Sequence, residues 1–266
     1  MTALQSIILG IIQGLTELLP VSSSAHLNIF PWLLGWSERP DSFDIALHFG
    51  TLMAITIFFF RDWIDLIKGG FNKVFKKEDS VNGRMFWYIM IATIPAGILG
   101  MILEKISGKI FNTINKEMIA IAVMLIVMGI LLYVVDSKCK TRIRYEKINF
   151  KQAFLIGMSQ AIAGAFPGTS RSGITMTVAR AMKIDRESAA KFSFLLSTPM
   201  IAAAVLVSMG DFVFNTAFVL GVLSSFIVGI LVIKFLLDYL KKGSFKVFAV
   251  YRVVLGLVII GLVIFR

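Results

Sequence analysis

Cysteine, histidine and acidic side chains are what this sequence has least of. Cys139 stands alone among 266 residues, so no disulfide can close within the chain and nothing is stapled covalently. Histidine occurs twice, at His26 and His48, and 16 Asp and Glu stand against 27 Lys and Arg, a formal charge of +11. The first apolar run has no basic stretch before it and ends in Glu17 and Pro20 rather than at a small-residue cleavage site. That argues against a removable signal peptide and makes the N-terminus part of the expected fold. Polar surface is missing too. With 57% hydrophobic residues and a mean hydropathy of +0.83, the chain is too apolar for a soluble domain of its length.

What fills the chain instead is a series of apolar runs that use most of its 23 Phe and 13 Met. Those at 43–61, 85–103, 118–136, 188–208, 217–239 and 247–265 are each near the length that crosses ~30 Å of hydrocarbon. They predict six transmembrane helices. Two more runs, 3–34 and 151–182, are interrupted by Pro20 and Pro167, each within a cluster of small hydroxyl residues. These predict re-entrant pairs of short helices, tolerated at membrane depth only when buried in protein or lining a cavity. The expected fold is an all-α polytopic membrane protein, a single integral membrane domain over residues 1–266.

Basic residues set the expected topology. Arg61, Lys68, Lys73, Lys76, Lys77 and Arg84 cluster between the first two spans, and Lys138, Lys140, Arg142, Arg144, Lys147 and Lys151 follow the third. Arg180, Lys183, Arg186 and Lys191 precede the fourth, and Lys241, Lys242 and Lys246 join the last two. Six crossings and two re-entrant pairs put all nineteen on one side, against Arg39, Lys105, Lys109, Lys116 and Arg266 on the other. By the positive-inside rule the rich side is cytoplasmic and both termini are outside. The positive charge is thereby accounted for by topology and anionic lipid, with no call for nucleic acid.

An internal repeat supports the re-entrant reading. "QGLTELLPVSSSAH" (13–26) laid over "QAIAGAFPGTSRSG" (160–173) pairs Gln13 with Gln160, Pro20 with Pro167, Ser23 with Ser170 and Ser24 with Arg171 at an offset of 147. The same offset pairs Thr51 with Thr198 and Met53 with Met200. Three crossings separate the copies, so the second is expected upside down: inverted repeats at about 1–136 and 148–266, whose broken segments meet near the midplane.

That meeting point gathers the candidate chemistry. Gln13 and Glu17 share a helix face; Ser22, Ser23 and Ser24 open the helix that carries His26. In the second copy Gly168, Thr169, Ser170, Arg171, Ser172 and Thr175 open another. Two converging helix N-termini with an arginine and hydroxyls describe a phosphate site. Plainer readings exist: the serines as N-caps, Glu17 as a hydrogen-bonding partner for a neighbouring helix, Arg171 as its ion-pair partner. An intramembrane arginine is by default functional. His48 has no hydroxyl cluster beside it and is assigned a structural or supporting role.

Gln13 to His26, as (E/Q)-x-x-x-E plus P-V-S-S-S-x-H, together with Pro167 to Thr175, as P-G-x-S-R-S-x-x-T, resembles the undecaprenyl-diphosphate phosphatase family of the bacitracin-resistance type along essentially the whole chain. The resemblance implies a bacterial inner-membrane hydrolase that converts undecaprenyl diphosphate to undecaprenyl phosphate. It would recycle the lipid carrier of cell-wall synthesis and confer bacitracin resistance, with its site opening to the outer face. It also implies a divalent cation, Mg²⁺ or Ca²⁺, with Glu17 as the metal-binding carboxylate, since Gln13 stands where some relatives have Glu.

In this reading Arg171 clamps the diphosphate with Ser170, Ser172 and Thr175 around it. Glu17 holds the metal, orients His26, or both, and His26 is either the nucleophile or the base that activates Ser23 or water. Membrane lipids are the surroundings, and the sequence leaves room for a homodimer. The rival is a lipid or small-anion transporter or flippase, which also uses inverted repeats and broken helices but needs no His, Glu and Arg around a hydroxyl cluster. A phosphatidic-acid-type phosphatase would need a second catalytic histidine after its S-R motif, and none follows His48.

Overall fold

A computed structural model describes residues 1–37, 39–140 and 143–265. Arg142 and Arg266, counted above for topology, lie outside the described residues. Eleven α-helices make up the described chain: α1 (Ala3–Thr16), α2 (Ser23–Leu34), α3 (Asp41–Phe58), α4 (Phe60–Phe75), α5 (Val81–Ile110), α6 (Ile114–Lys138), α7 (Phe150–Ala165), α8 (Arg171–Ala181), α9 (Arg186–Ser208), α10 (Thr216–Leu240) and α11 (Lys246–Phe265). The extended backbone pairs once among the described residues, as a parallel bridge from Ile143 to Ile184.

Six of these helices, α3, α5, α6, α9, α10 and α11, are long and apolar enough to cross a membrane. Five enclose the spans expected from hydropathy. The first differs: α3 stops at Phe58, and residues 60–61 already belong to α4. Hydropathy alone reads 61–84 as a charged loop, yet Trp63, Ile64, Ile67, Phe71 and Val74 recur at helical spacing between Arg61, Asp62, Asp65, Lys68 and Lys73. That pattern is an amphipathic helix, and α4 packs on α5, its Gly70 backbone oxygen accepting from Trp87 Nε1 at 3.1 Å. In the link to α5, Lys73 and Arg84 both donate to Asp79 and hold its exposed carboxyl below the usual carboxylate range.

The interrupted runs form two broken pairs, α1 with α2 and α7 with α8, of 14, 12, 16 and 11 residues. At 1.5 Å per residue each helix is shorter than the hydrocarbon core. Both first helices start alike. Thr2 and Gln5 form a capping box on α1, and Asn149 and Gln152 form one on α7, which satisfies two end amides reciprocally. Packing crosses between the halves of the chain: α1 lies along α10, α7 along α5, and α6 and α11 against each other. At the basic end, buried Asp136 accepts from Arg180 at 2.7 Å, Arg186 at 2.9 Å and Phe245 N at 3.2 Å, joining α6, α8, α9 and the start of α11.

Candidate active site

Both proline turns end in a serine with left-handed backbone, Ser22 at φ 76° and Ser170 at φ 70°. Such a conformation is costly for a residue with a Cβ and persists only where the surroundings impose it. Each is the N-cap of its second helix, Ser22 Oγ accepting from Ala25 N and Ser170 Oγ from Gly173 N. Each also contacts the serine two residues on, Ser24 at 3.2 Å and Ser172 at 3.3 Å. Geometry therefore corrects the repeat register. The turn is Pro-Val-Ser in one copy and Pro-Gly-Thr-Ser in the other, so where the second helix begins the offset is 148, and Ser22 matches Ser170 while Ser23 matches Arg171. The extra residue is accommodated at Gly168, φ 86°, where a Cβ would lie 2.7 Å from Ile121 O.

The two turns are bound together. Ser172 Oγ is placed to donate to Glu17 O (3.0 Å) and Leu19 O (3.1 Å). Arg252, fully buried in α11, donates to Pro20 O at 3.1 Å in the first turn and to Gly168 O at 3.1 Å and Thr169 O at 2.9 Å in the second. It also reaches Leu125 O and Met124 O on α6. No carboxylate lies within ion-pair distance of it among the described residues. One guanidinium thus draws both turns to one point by their carbonyl oxygens, and the turn hydroxyls of Ser22 and Ser170 cap one first-turn amide of α2 and of α8.

Glu17, its side chain 8% exposed, is the centre of the cluster. Its Oε2 accepts from Ser23 Oγ at 2.5 Å and from Gln13 Nε2 at 3.3 Å, and lies 3.4 Å from His48 Nε2. His48 Nδ1 donates to Asp44 O at 2.8 Å. A proton on each ring nitrogen satisfies both contacts and makes the pair with Glu17 an ion pair. Arg171, at the first helical position of α8, lies within electrostatic reach of Glu17 and His48. Its Nη1 is buried without a hydrogen-bond partner, as is Gln13 Oε1. A buried guanidinium nitrogen without an acceptor is uncommon and is of the chemistry that takes oxyanions. Among the described residues no three of His, Cys, Asp and Glu come together to hold a metal ion.

Two comparisons bear on this geometry. A family model described as bacitracin resistance protein BacA matches residues 6–258. The chain belongs to the BacA family. It is 46% identical to an undecaprenyl-diphosphatase of Caldicellulosiruptor bescii, with 100% of this chain and 99% of the relative aligned. It is 47% identical to one from Pelotomaculum thermopropionicum (98% and 97%) and 45% to one from Desulforudis audaxviator (100% of each).

In this member of the BacA family the other expected site residues are spent differently from the sequence reading. His26 Nδ1 donates to Ser22 O at 2.7 Å, so Nε2 is the acceptor and takes the Tyr251 hydroxyl at 2.6 Å, with the rings stacked. The histidine on Glu17 is accordingly His48 rather than His26. Ser170, Ser172 and Thr175 do not line a cradle: Ser170 caps α8, Ser172 holds the first turn, and Thr175 Oγ1 is turned toward Arg171 O, Ser172 O and Ser193 Oγ. Thr169 Oγ1 donates to Phe166 O. Thr169 and Thr175 satisfy local carbonyls, as hydroxyls near a helix start commonly do, and Ser170 is the N-cap of the plainer reading. Ser23, exposed Ser24, Arg171 and the turn amides remain for a ligand. Arg252 and Tyr251 escaped the sequence reading, although a lone charge within an apolar span was signal enough for Arg252.

Proposed function

We propose that this BacA-family chain is a membrane phosphatase that hydrolyses undecaprenyl diphosphate to undecaprenyl phosphate and inorganic phosphate. The observation that carries the reading is the Ser23 hydroxyl held 2.5 Å from the Glu17 carboxylate, with Arg171, its Nη1 buried and unpartnered, within electrostatic reach of that carboxylate. Ser23 Oγ passes its proton to Glu17 and attacks the terminal phosphorus. The bond from that phosphorus to the bridging oxygen breaks, and the lipid monophosphate leaves. Water then cleaves the phosphoserine. Arg171 and the amides at the starts of α2 and α8 stabilise charge on the phosphoryl oxygens. His48 holds the carboxylate in place, and His26, fixed by Tyr251, supports the Ser22 turn. The undecaprenyl-diphosphatases among its relatives support this substrate, and lipid-carrier recycling would give the chain its part in cell-wall synthesis and bacitracin resistance.

The test is phosphate release from a long-chain prenyl diphosphate by purified protein, with and without a chelator; prenyl diphosphate moved across a bilayer with no phosphate released would favour a transporter. A divalent cation, Mg²⁺ or Ca²⁺, fits as an ion shared with the diphosphate. Gln13 Oε1 is unpartnered, the three contacts on Glu17 all fall on Oε2, and hard cations take such oxygens together with phosphate. When bound it would neutralise phosphoryl charge. In the Arg171→Lys variant, turnover should fall at least ~10-fold although charge is kept, because an ammonium does not reproduce a planar two-point clamp. Near-normal turnover would reject the clamp.

The chain is read as inserted in a bacterial inner membrane as two inverted repeats, with both termini and the site opening on the outer face. The basic excess on one side supports that orientation. In a Cys139→Ala background, a cysteine replacing exposed Asn112 should react with an impermeant thiol reagent in intact cells, and one replacing exposed Asn82 should not. The reverse pattern would invert the topology.

A further inference from the structure

Six buried side-chain atoms lack a hydrogen-bond partner among the described residues, and four of them belong to the broken helix pairs: Gln13 Oε1, Arg171 Nη1, and both Nε2 and Oε1 of Gln160. Gln160 is 4% exposed. A wholly unpartnered amide in an apolar interior is costly, and its presence points to an absent partner.

Gln160 stands seven residues before Pro167, as Gln13 stands seven before Pro20. The helix faces that carry them pack alike. On α1, a Cβ at Gly10 would lie 2.4 Å from Gly221 O and one at Gly14 2.7 Å from Ser225 O, so this face lies directly on α10. On α7, a Cβ at Gly157, the counterpart of Gly10, would lie 2.4 Å from Ala92 Cβ, so the equivalent face lies on α5, as the 2.6 Å from a Cβ at Gly164 to Gly100 O also shows. One turn further the copies diverge. Glu17 follows Gln13, but Gly164 follows Gln160, and the Gly100 carbonyl leaves no room there for a carboxylate. The first copy offers an amide with a base; the second offers a neutral amide and then Arg171, donors without a proton acceptor.

We infer that Gln160 is a further binding residue for the diphosphate, donating from Nε2 to a non-bridging phosphoryl oxygen on the side of the site opposite Gln13 and Glu17. The inference rests on the phosphatase reading and gives the second copy phosphate donors without a proton acceptor. It is tested with Gln160→Leu, which matches the side chain in size, in steady-state hydrolysis of prenyl diphosphate and in competitive inhibition by inorganic pyrophosphate. KM and the inhibition constant should both rise roughly 10- to 100-fold, the effect of one hydrogen bond to a charged group, with kcat little changed and the thermal midpoint in detergent not lowered.

Unchanged KM and inhibition constant would overturn the inference, as would a lowered midpoint with binding intact, the mark of a structural amide. If Gln160→Leu does not purify folded, Gln160→Asn, which withdraws the amide by one methylene, decides by the same criteria. A wild-type protein that releases no phosphate would instead reject the phosphatase reading itself.

Discussion

Replacing Glu17 by Gln is expected to cut phosphate release by roughly 10²- to 10⁴-fold, the range for loss of a general base, while KM changes little. Gln keeps the shape of the side chain but cannot take the Ser23 proton. It also loses the charge that His48 Nε2 faces at 3.4 Å. Quenching the wild-type enzyme during turnover on substrate labelled in its terminal phosphate should trap an adduct that survives acid, as a phosphoserine does, and that Ser23→Ala lacks. An acid-labile, alkali-stable adduct would move the nucleophile to His26. Wild-type turnover in Glu17→Gln would leave the 2.5 Å contact with Ser23 without a catalytic role.

The second large effect should come from Arg252, which touches the candidate site only through backbone oxygens. Arg252→Met removes the donors of Pro20 O, Gly168 O and Thr169 O in one step. Each carbonyl left unsatisfied in an apolar interior costs about 1 kcal/mol or more, so the native state should lose at least ~3 kcal/mol. The two turns should separate, and activity should fall with stability. Arg252→Lys retains the charge but has fewer donors and a different reach, and should recover only part of both. Thermal unfolding in detergent, measured beside phosphate release, checks this. A Met variant as stable and active as wild type would show that the turns hold without Arg252.

These expectations differ in how far they could be read before the structure. The six spans were legible because uncharged runs of this length have few other uses. Gln13 and Glu17 were legible as a pair because a spacing of four fixes a shared helix face. α4 was not, since its charges outweigh its apolar stripe in any average over residues 61–84. The partner of Glu17 was not, because His48 comes from another helix, 31 positions on, and nothing local records that approach. Nor does sequence say which way a hydroxyl turns: Ser172 and Thr175 stand where a phosphate cradle would want them, yet both serve carbonyl oxygens. The matching of Ser23 with Ser170 was one residue out of step at the turn, where Ser22 and Ser170 share the left-handed backbone and the N-cap, because an insertion inside a turn leaves no mark on hydropathy.

That one-residue step has a consequence for how such a site can arise. Once Ser22 is matched to Ser170, the residue that follows is Ser23 in one copy and Arg171 in the other, both at the first position of their helices. A symmetric pair of identical half-length chains could bring together two serines there, or two arginines, but never one of each. With both copies in a single polypeptide, equivalent places can hold different residues, here a hydroxyl in one copy and a guanidinium in the other.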